Sequence, residues 1–205
     1  MIRFYRFKYS TNCDRVAMAL AFKEIRTESV DIDPKDRSLV RKVSGQDLVP
    51  VIEDDGKVVA DSMTIVKYLE DRFPGKPLYP KETARRTEML LFIDWFNRVW
   101  KRPPNDMEAE MGKPSPDQEK IAKWGRNMTD ALDLFEGMLS GREFLMGDGF
   151  SAADVAAWPF LRYAASIPED DQYLFHKILV EYQPLGDSHP RLRGWIERLS
   201  RYPMA

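Results

Sequence analysis

The sequence predicts a small α/β domain followed by a domain made only of helices. Three observations support this prediction. The first two come from the hydrophobic pattern: strand-like and helix-like segments alternate up to Ala60, and no strand pattern follows that residue. The third is a cluster of residues that break regular structure, namely Pro74, Gly75, Pro77 and Pro80. We therefore place the first domain at residues 1–76 and the second at residues 84–205.

The first domain is predicted to contain four strands and three helices in the order β-α-β-α-β-β-α. Alternation of apolar and polar residues indicates the strands, and apolar residues that recur on one face indicate the helices. The turn Asp54-Asp55-Gly56 between two apolar runs is typical of a hairpin. The predicted segments are Ile2–Phe7, Cys13–Phe22, Thr27–Ile32, Lys35–Val43, Val49–Ile52, Val58–Ala60 and Ser62–Phe73.

The second domain is predicted to consist of five helices. They are Thr83–Trp100, Asp117–Leu139, Ser151–Tyr163, Tyr173–Glu181 and Pro190–Leu199. Pro103-Pro104 is expected to end the first of them, because proline inside a helix removes a hydrogen bond and clashes with the preceding turn. Residues 101–116 are therefore predicted to form a loop that shapes a pocket entrance. Gly125 and Gly137 are expected to bend or weaken the long second helix.

Composition and charge argue against several classes of function. The 205 residues carry 31 Lys plus Arg against 33 Asp plus Glu, so nothing in the totals favours nucleic acid or an anionic membrane as a partner. No apolar run is long enough to span a bilayer, and the first residues lack a secretory signal pattern. Cys13 is the only cysteine, and His176 and His189 are too far apart for one helical face. We expect a cytoplasmic protein without disulfides or a metal site.

The first motif that could take part in catalysis is the run from Ser10 to Val16, where the first strand meets the first helix. A helix N-terminus offers unsatisfied N–H groups, and a hydroxyl there can stabilise a thiolate by hydrogen bonding. Ser10 and Cys13 have the spacing of a C-x-x-C redox motif whose first thiol is replaced by a hydroxyl. That replacement argues against dithiol chemistry by the protein itself. The alternative is that Ser10 is an ordinary N-cap.

The second motif is Val49-Pro50 before the third strand, and the third is Asp61-Ser62 at the start of the third helix. A cis bond before Pro50 would turn the Val49 backbone outward as a hydrogen-bonding edge for an extended peptide, whereas a trans proline would simply open the strand. Ser62 is predicted to cap the helix, whose N–H groups could hold a carboxylate, while Asp61 could meet an ammonium group. An ordinary N-cap is again the alternative.

A fourth motif, the run from Gly147 to Val155, is interpreted as a folding signal. Ser151 and Asp154 have the spacing of a capping box, and the two flanking apolar residues are placed for a hydrophobic staple. The motif predicts the start of a helix in the second domain and no catalysis.

In this order, the four motifs resemble those of the cytosolic glutathione transferase superfamily, over essentially the whole chain. The resemblance implies a thioredoxin-like first domain, an all-helical second domain and glutathione as co-substrate. The S-T-N-C-D-R-V run looks like that of the serine-type members, and by this resemblance Ser10 activates the glutathione thiol. Val49 would pair its backbone with the cysteinyl part, and Pro50 would be the cis-proline. Asp61 and Ser62 would hold the γ-glutamyl end.

The resemblance further implies a homodimer that joins the glutathione thiolate to an electrophilic, fairly apolar small molecule lying between the two domains. Aromatic residues could line that pocket, although aromatics at helical spacing are more typical of a core; they are Phe92, Trp95, Phe96 and Trp100. No motif assigns the partner of the glycyl carboxylate. The candidates lie on a charged segment whose ordinary role would be solvation: Lys35, Arg37, Arg41 and Lys42.

Three departures from the family pattern leave the subclass open. Thr11 stands where many relatives have proline, residues 44–48 lack the frequent N-P-x-G loop, and Asp61 replaces a commoner glutamate. Two alternatives to a transferase also remain. One is a non-catalytic module that keeps the fold for association or stress responses. The other is a glutathione-dependent thiol reductase that uses Cys13, although Cys13 is expected to pack inward as a small core residue.

Overall fold

The computed structural model describes residues 1–147 and 149–205. It divides into two units, the first formed by Met1–Pro80 with Tyr202–Ala205 and the second by Lys81–Arg201. In the part of the chain that is described, no helix combines the length and apolar character needed to cross a bilayer.

The first unit has the predicted order of strands and helices. Its elements are β1 (Ile2–Arg6), α1 (Thr11–Phe22), β2 (Thr27–Asp31), α2 (Ser38–Ser44), β3 (Val51–Asp54), β4 (Lys57–Ala60) and α3 (Ser62–Arg72). They build one four-stranded sheet with the strand order β2-β1-β3-β4. Strands β1 and β2 are parallel, because α1 carries the chain back between them, and the other two pairs are antiparallel.

The core of the first unit is formed by the central strands and by helices α1 and α3. Strand β1 contributes Phe4 and Tyr5, and β3 contributes Val51 and Ile52, all fully buried. Helix α1 is apolar over most of its circumference, as expected for a helix surrounded by protein, while α3 buries one stripe. Burial of these side chains supplies most of the driving force that holds the sheet and the two helices together.

The second unit is helical, as predicted. Its helices are α4 (Thr83–Trp95), α5 (Arg102–Met111), α6 (Gln118–Met138), α7 (Ala152–Leu161), α8 (Leu174–Tyr182) and α9 (Pro190–Leu199). Helix α4 runs directly into a π-helical turn at Phe96–Trp100, and α7 runs into a 3₁₀ turn at Arg162–Ala164. Among the residues described in this unit, the only β pairing is an isolated bridge between Phe144 and Gly147.

The prediction of a loop over residues 101–116 was wrong, because α5 occupies most of that segment. Arg102 begins this helix, and Pro103 and Pro104 follow it directly instead of ending the previous helix. Both lie in its first turn, where a backbone N–H has no intrahelical acceptor and a missing one costs nothing.

The predicted capping box at the start of α7 is present. Asp154 is fully buried, and its carboxylate accepts hydrogen bonds from the N–H and hydroxyl of Ser151, the N–H of Leu145 and the indole N–H of Trp195, at 2.8–3.0 Å. Burial raises the pKa of Asp154, and these hydrogen bonds act in the opposite direction. The motif therefore joins the start of α7 to α9 and to the preceding loop.

Gly125 has a packing role in α6. A Cβ at this position would lie 2.4 Å from two ring atoms of Tyr182, the last residue of α8. A side chain larger than hydrogen would therefore force the Tyr182 ring to move where α6 and α8 meet.

The two histidines are unrelated, as predicted, and both are buried. His176 Nδ1 lies 2.8 Å from an oxygen of Asp171, and His189 Nε2 lies 3.0 Å from an oxygen of Asp133. Each ring is thus held by a different carboxylate, as in an ordinary satisfied polar cluster.

Candidate functional site

Ser10 lies between β1 and α1, half-buried, and is the N-cap of α1. Its Oγ accepts a hydrogen bond from the backbone N–H of Cys13 at 3.3 Å. This bond uses a lone pair of the oxygen, so the hydroxyl hydrogen can still be donated to another group. The N-cap interpretation of Ser10 is correct, and it is compatible with a second role as a donor.

Cys13 is packed inward, as expected, with 3% of its surface exposed. Burial raises the pKa of its thiol from 9.0 to about 11, although hydrogen bonding to Ser10 opposes the shift. The thiol is therefore protonated at neutral pH, and a protonated, buried thiol is a poor nucleophile.

The peptide bond between Val49 and Pro50 is cis. Neither backbone group of Val49 hydrogen-bonds another residue in the described part of the chain. The residue before it is fixed, because the side-chain amide of Gln46 donates to the C=O of Leu48 at 2.7 Å and accepts from its N–H at 2.5 Å. An unused N–H and C=O beside a fixed loop suit the backbone of an extended peptide.

Asp61, not Ser62, is the N-cap of α3, so the predicted capping residue was wrong by one position. Asp61 has a φ of 70°, is exposed, and accepts a hydrogen bond from the N–H of Thr64 through Oδ1 at 2.9 Å. Ser62 is already helical, and its hydroxyl is turned into the protein, where it meets Arg15. The start of α3 therefore offers an exposed carboxylate next to free N–H groups.

Arg15 is the residue of this region to which sequence analysis gave no role. It is 1% exposed, and its guanidinium donates to Ser62 Oγ at 3.2 Å and to Asn12 Oδ1 at 3.4 Å. Burial lowers the pKa of Arg15 to about 9, and the charge of Asp61 opposes that shift, so the guanidinium is charged at neutral pH. The signal was a positive charge directly before the apolar run of α1, because a buried charge needs polar partners.

The basic candidates for the glycyl carboxylate include two arginines that brace the loop before Val49. Arg37 donates to the C=O of Asp47 at 3.0 Å, and Arg41 binds the carboxylate of Asp47 at 2.7 Å. Lys35 and Lys42 are exposed on the same segment. Two of the four candidates thus have a structural role, and the other two are solvated.

The aromatic residues of α4 and its π-helical turn form a core, in line with the more usual interpretation of their spacing. Phe96 stacks on Trp100 with 4.5 Å between ring centroids, and both contact the rings of Phe135 and Phe160. Trp95 is the member of the predicted set that keeps appreciable exposed surface.

The three motifs of the first unit lie at one end of its sheet. The register pairs Tyr5 with Val51 and Val51 with Ala60. Because both pairs are antiparallel, the chain leaves β1, enters β3 and leaves β4 at the same end of the sheet. Ser10, Val49-Pro50 and Asp61-Ser62 follow or precede these strand ends directly, so the fold brings them together although up to 52 positions separate them.

Comparison with known proteins connects both units to one family. Residues 4–77 match the family described as glutathione S-transferase, N-terminal domain, and residues 118–198 match glutathione S-transferase, C-terminal domain. Glutathione S-transferase omega-1 of Mus musculus is 26% identical over 206 residues, which cover 100% of this chain and 78% of the mouse protein. Pyrimidodiazepine synthase of Drosophila melanogaster is also 26% identical, with 99% of this chain and 78% of the fly protein covered.

A solved structure with a similar fold is that of the beta-etherase LigF from Sphingobium sp. strain SYK-6. It superimposes with a TM-score of 0.79 at 22% identity, and the match covers 98% of this chain and 96% of LigF. This likeness confirms the predicted architecture, a thioredoxin-like α/β domain followed by an all-helical domain.

Proposed function

This chain belongs to the cytosolic glutathione S-transferase superfamily, and on that premise we propose that it transfers the glutathione thiolate to an electrophilic, fairly apolar small molecule. Residues 1–76 would bind glutathione, and residues 84–205 would contribute the electrophile pocket, with Trp95 as its best aromatic candidate. The relatives bear names that include a transferase, a synthase and a beta-etherase. The choice of a conjugating transferase therefore rests on the site of this chain.

The observation that carries the proposal is that the three motifs lie at the same end of the sheet. Neighbouring strands lie about 4.8 Å apart, so the ends of β1 and β4, on either side of β3, are separated by roughly 10 Å. An extended tripeptide has a similar length, about 10 Å. Glutathione that lies across this end of the sheet would place its cysteine beside Val49 and its γ-glutamyl group at the start of α3.

Each end of the ligand meets complementary chemistry in this pose. The N–H and C=O of Val49 would pair with the cysteinyl backbone, as in the addition of a strand to a sheet edge. The exposed carboxylate of Asp61 would meet the γ-glutamyl ammonium, and the N–H groups at the start of α3 would hold its carboxylate.

Ser10 would stabilise the reacting sulfur. Its hydroxyl would donate to the glutathione thiolate and lower the thiol pKa, so that the thiol proton is released to solvent. The thiolate would then attack an electrophilic carbon, forming a carbon–sulfur bond as the leaving group departs with its bonding electrons. Cys13 is not suited to this step, because it is buried and its pKa is raised to about 11.

Calorimetry with glutathione, followed by conjugation to a generic aryl halide, tests the proposal. We expect wild type to bind and turn over, Ser10→Ala to lose about ten- to a thousand-fold in rate, as for one oxyanion-type donor, and Cys13→Ala to stay near wild type. Absence of glutathione binding by wild type would overturn the proposal. Binding without turnover across a broad electrophile panel would favour the non-catalytic module, and loss confined to Cys13→Ala would favour the reductase.

We also propose that the protein acts in the cytoplasm as a homodimer, as the family resemblance implies. Sedimentation equilibrium tests the second statement: a mass near twice that of one 23.9 kDa chain is expected, and a mass that stays at one chain at micromolar concentration contradicts it.

A further inference from the structure

A tight turn joins β1 to the start of α1 and holds Tyr9 in a strained conformation. The N–H of Ser10 donates to the C=O of Phe7 at 3.4 Å, so residues 7–10 form a β-turn with Tyr9 as its third residue. Tyr9 has a φ of 66°. Turns with a positive φ at this position usually have glycine or asparagine there, because in this conformation a Cβ crowds the neighbouring carbonyl oxygen. Turn chemistry alone would therefore not select an aromatic residue.

Tyr9 also stands apart from the other left-handed positions of the chain. Gly45 ends α2 with a φ of 76°, and Gly56 closes the hairpin with a φ of 82°. The described residues other than glycine that have a positive φ are Tyr9, Glu24, Asp55 and Asp61. Aspartate is enriched in this conformation, whereas a bulky residue such as Tyr9 is a genuine outlier. Such strain persists only where the surrounding structure fixes it, and it is concentrated at functional sites.

The strained residue directly precedes Ser10, the proposed donor to the glutathione thiolate. Tyr9 is half-buried, and the ammonium of Lys8 lies 4.5 Å from the centroid of its ring, so contacts of the ring help to hold the turn. Glycine at position 9 would adopt the same φ without strain but would leave the turn freer to move. A donor in a catalytic site must be held within about 0.5 Å of its productive position. The rigidity of this turn therefore bears on the chemistry of Ser10.

We propose that Tyr9 is a positioning residue for Ser10: its ring locks the turn in one conformation and so fixes the direction of the Ser10 hydroxyl. The proposal rests on the proposed function, because Ser10 has a thiolate to meet only if glutathione binds. Tyr9 acts through Ser10 and not on the ligand. A change at Tyr9 should therefore affect the ionisation and reactivity of the thiol and leave the binding of the peptide part of glutathione intact.

Three measurements test the proposal. They are the pKa of the bound glutathione thiol, followed by the ultraviolet absorbance of the thiolate, the conjugation rate with a generic aryl halide, and calorimetric binding of S-hexylglutathione, which has no free thiol. We expect Tyr9→Gly to raise the thiol pKa and to lower the rate about tenfold, while the affinity for S-hexylglutathione changes less than twofold. Tyr9→Phe is the conservative variant, and it should keep the thiol pKa and the rate near wild type because the ring remains.

The Ser10→Ala background shows whether Tyr9 acts through Ser10. In that background Tyr9→Gly should change the rate less than twofold, because the hydroxyl that it positions is already gone. Glu24→Gly is the matched control. Glu24 has a φ of 57° and follows the other end of α1, whose twelve residues span about 18 Å. It removes a strained φ far from Ser10, so the thiol pKa, the rate and the affinity should stay at the wild-type level.

Several results would overturn the role of Tyr9. They are an unchanged rate in Tyr9→Gly, an equal loss in the Ser10→Ala background, an equal loss of affinity for S-hexylglutathione, an equal loss in Tyr9→Phe, and the same effect in Glu24→Gly. Should Tyr9→Gly not fold, Tyr9→Asn replaces it, because asparagine tolerates a positive φ and lacks the ring. Failure of wild type to bind S-hexylglutathione would instead refute the proposed function.

Discussion

The two units use the same capping chemistry with different results. At the start of α7, Ser151 and Asp154 are buried, and their side chains are saturated with hydrogen bonds from within the second unit. At the starts of α1 and α3, Ser10 and Asp61 also cap their helices, yet Ser10 is half-buried and Asp61 is exposed. Saturation and burial make a cap a folding element, whereas an exposed cap with unused hydrogen-bonding capacity can serve a ligand as well.

The largest effect is expected at the saturated cap. Asp154→Ala leaves the N–H groups of Leu145 and Ser151 and the Trp195 indole without an acceptor, which should lower the free energy of unfolding by about 3–5 kcal/mol. Urea denaturation measures it. Asp154→Asn keeps the size of the side chain and one acceptor oxygen, so it should lose less. A loss below about 1 kcal/mol for Asp154→Ala would show that α7 does not depend on this cap.

The next effect is expected at Ser10, where capping and activation can be separated. Ser10→Asp keeps an acceptor for the N–H of Cys13 but has no hydrogen to donate to a thiolate, whereas Ser10→Ala loses both. Both variants should lose about ten- to a thousand-fold in conjugation rate. Only Ser10→Ala should also lose about 1 kcal/mol of stability to urea. Full activity in Ser10→Asp would mean that Ser10 acts only as a cap.

At Asp61 a smaller, purely ligand-directed effect is expected. Asn caps helices as well as Asp does, so Asp61→Asn should leave the free energy of unfolding within about 0.5 kcal/mol. It removes the negative charge that would meet the γ-glutamyl ammonium, and glutathione affinity should fall about tenfold, or about 1.4 kcal/mol. Calorimetry and urea denaturation on one preparation check both halves. Unchanged affinity would remove Asp61 from the site.

Ser151→Ala should have the opposite pattern of effects to Asp61→Asn, with stability lowered and glutathione affinity unchanged. It removes one hydrogen-bonded partner of Asp154 and the cap of α7, so stability should fall by about 1 kcal/mol. Glutathione affinity, measured on the folded protein, should equal that of wild type. A change in affinity would mean that the two kinds of cap are coupled.

The smallest effect concerns Cys13. Because its pKa is raised from 9.0 to about 11, a folded chain at pH 8 should react with iodoacetamide at least about 100-fold more slowly than an exposed cysteine does. Stability should also fall as pH rises from about 9 to 11, since the unfolded thiol ionises while the folded one keeps its proton. Urea titrations across this range should show a weaker dependence in Cys13→Ala. Rapid alkylation at pH 8 would contradict the buried position.

The sequence allowed prediction of features that depend on neighbouring residues. The capping box at Ser151 and Asp154 and the hairpin around Gly56 are both local, and both are present. The role of Pro103 was not decided locally, because proline is excluded from a helix interior but accepted in a first turn. In this chain Pro103 follows the π-helical turn and lies in the first turn of α5.

The resemblance of the ordered motifs to the family selected Ser10, Val49-Pro50 and Asp61-Ser62 as site residues, and their roles stay predictions. The register of the sheet places them at one end of the first unit, but their hydrogen bonds could not be predicted. The cap of α3 was assigned to Ser62 in error because Arg15, 47 positions earlier, draws the Ser62 hydroxyl inward. The charge of Arg15 shows locally that polar partners are needed, but the identity of a partner 47 positions away leaves no local pattern to detect.

The burial of Cys13 has a practical consequence for spectroscopy. The chain holds one native thiol, and it is shielded, so the unmodified protein is a nearly silent background for maleimide chemistry. A cysteine introduced at Leu48, which is 69% exposed, would accept a fluorophore or spin label one residue from Val49. The emission or the spectral line shape of such a label would report the binding of a ligand at the end of the sheet beside Val49, without any need for turnover.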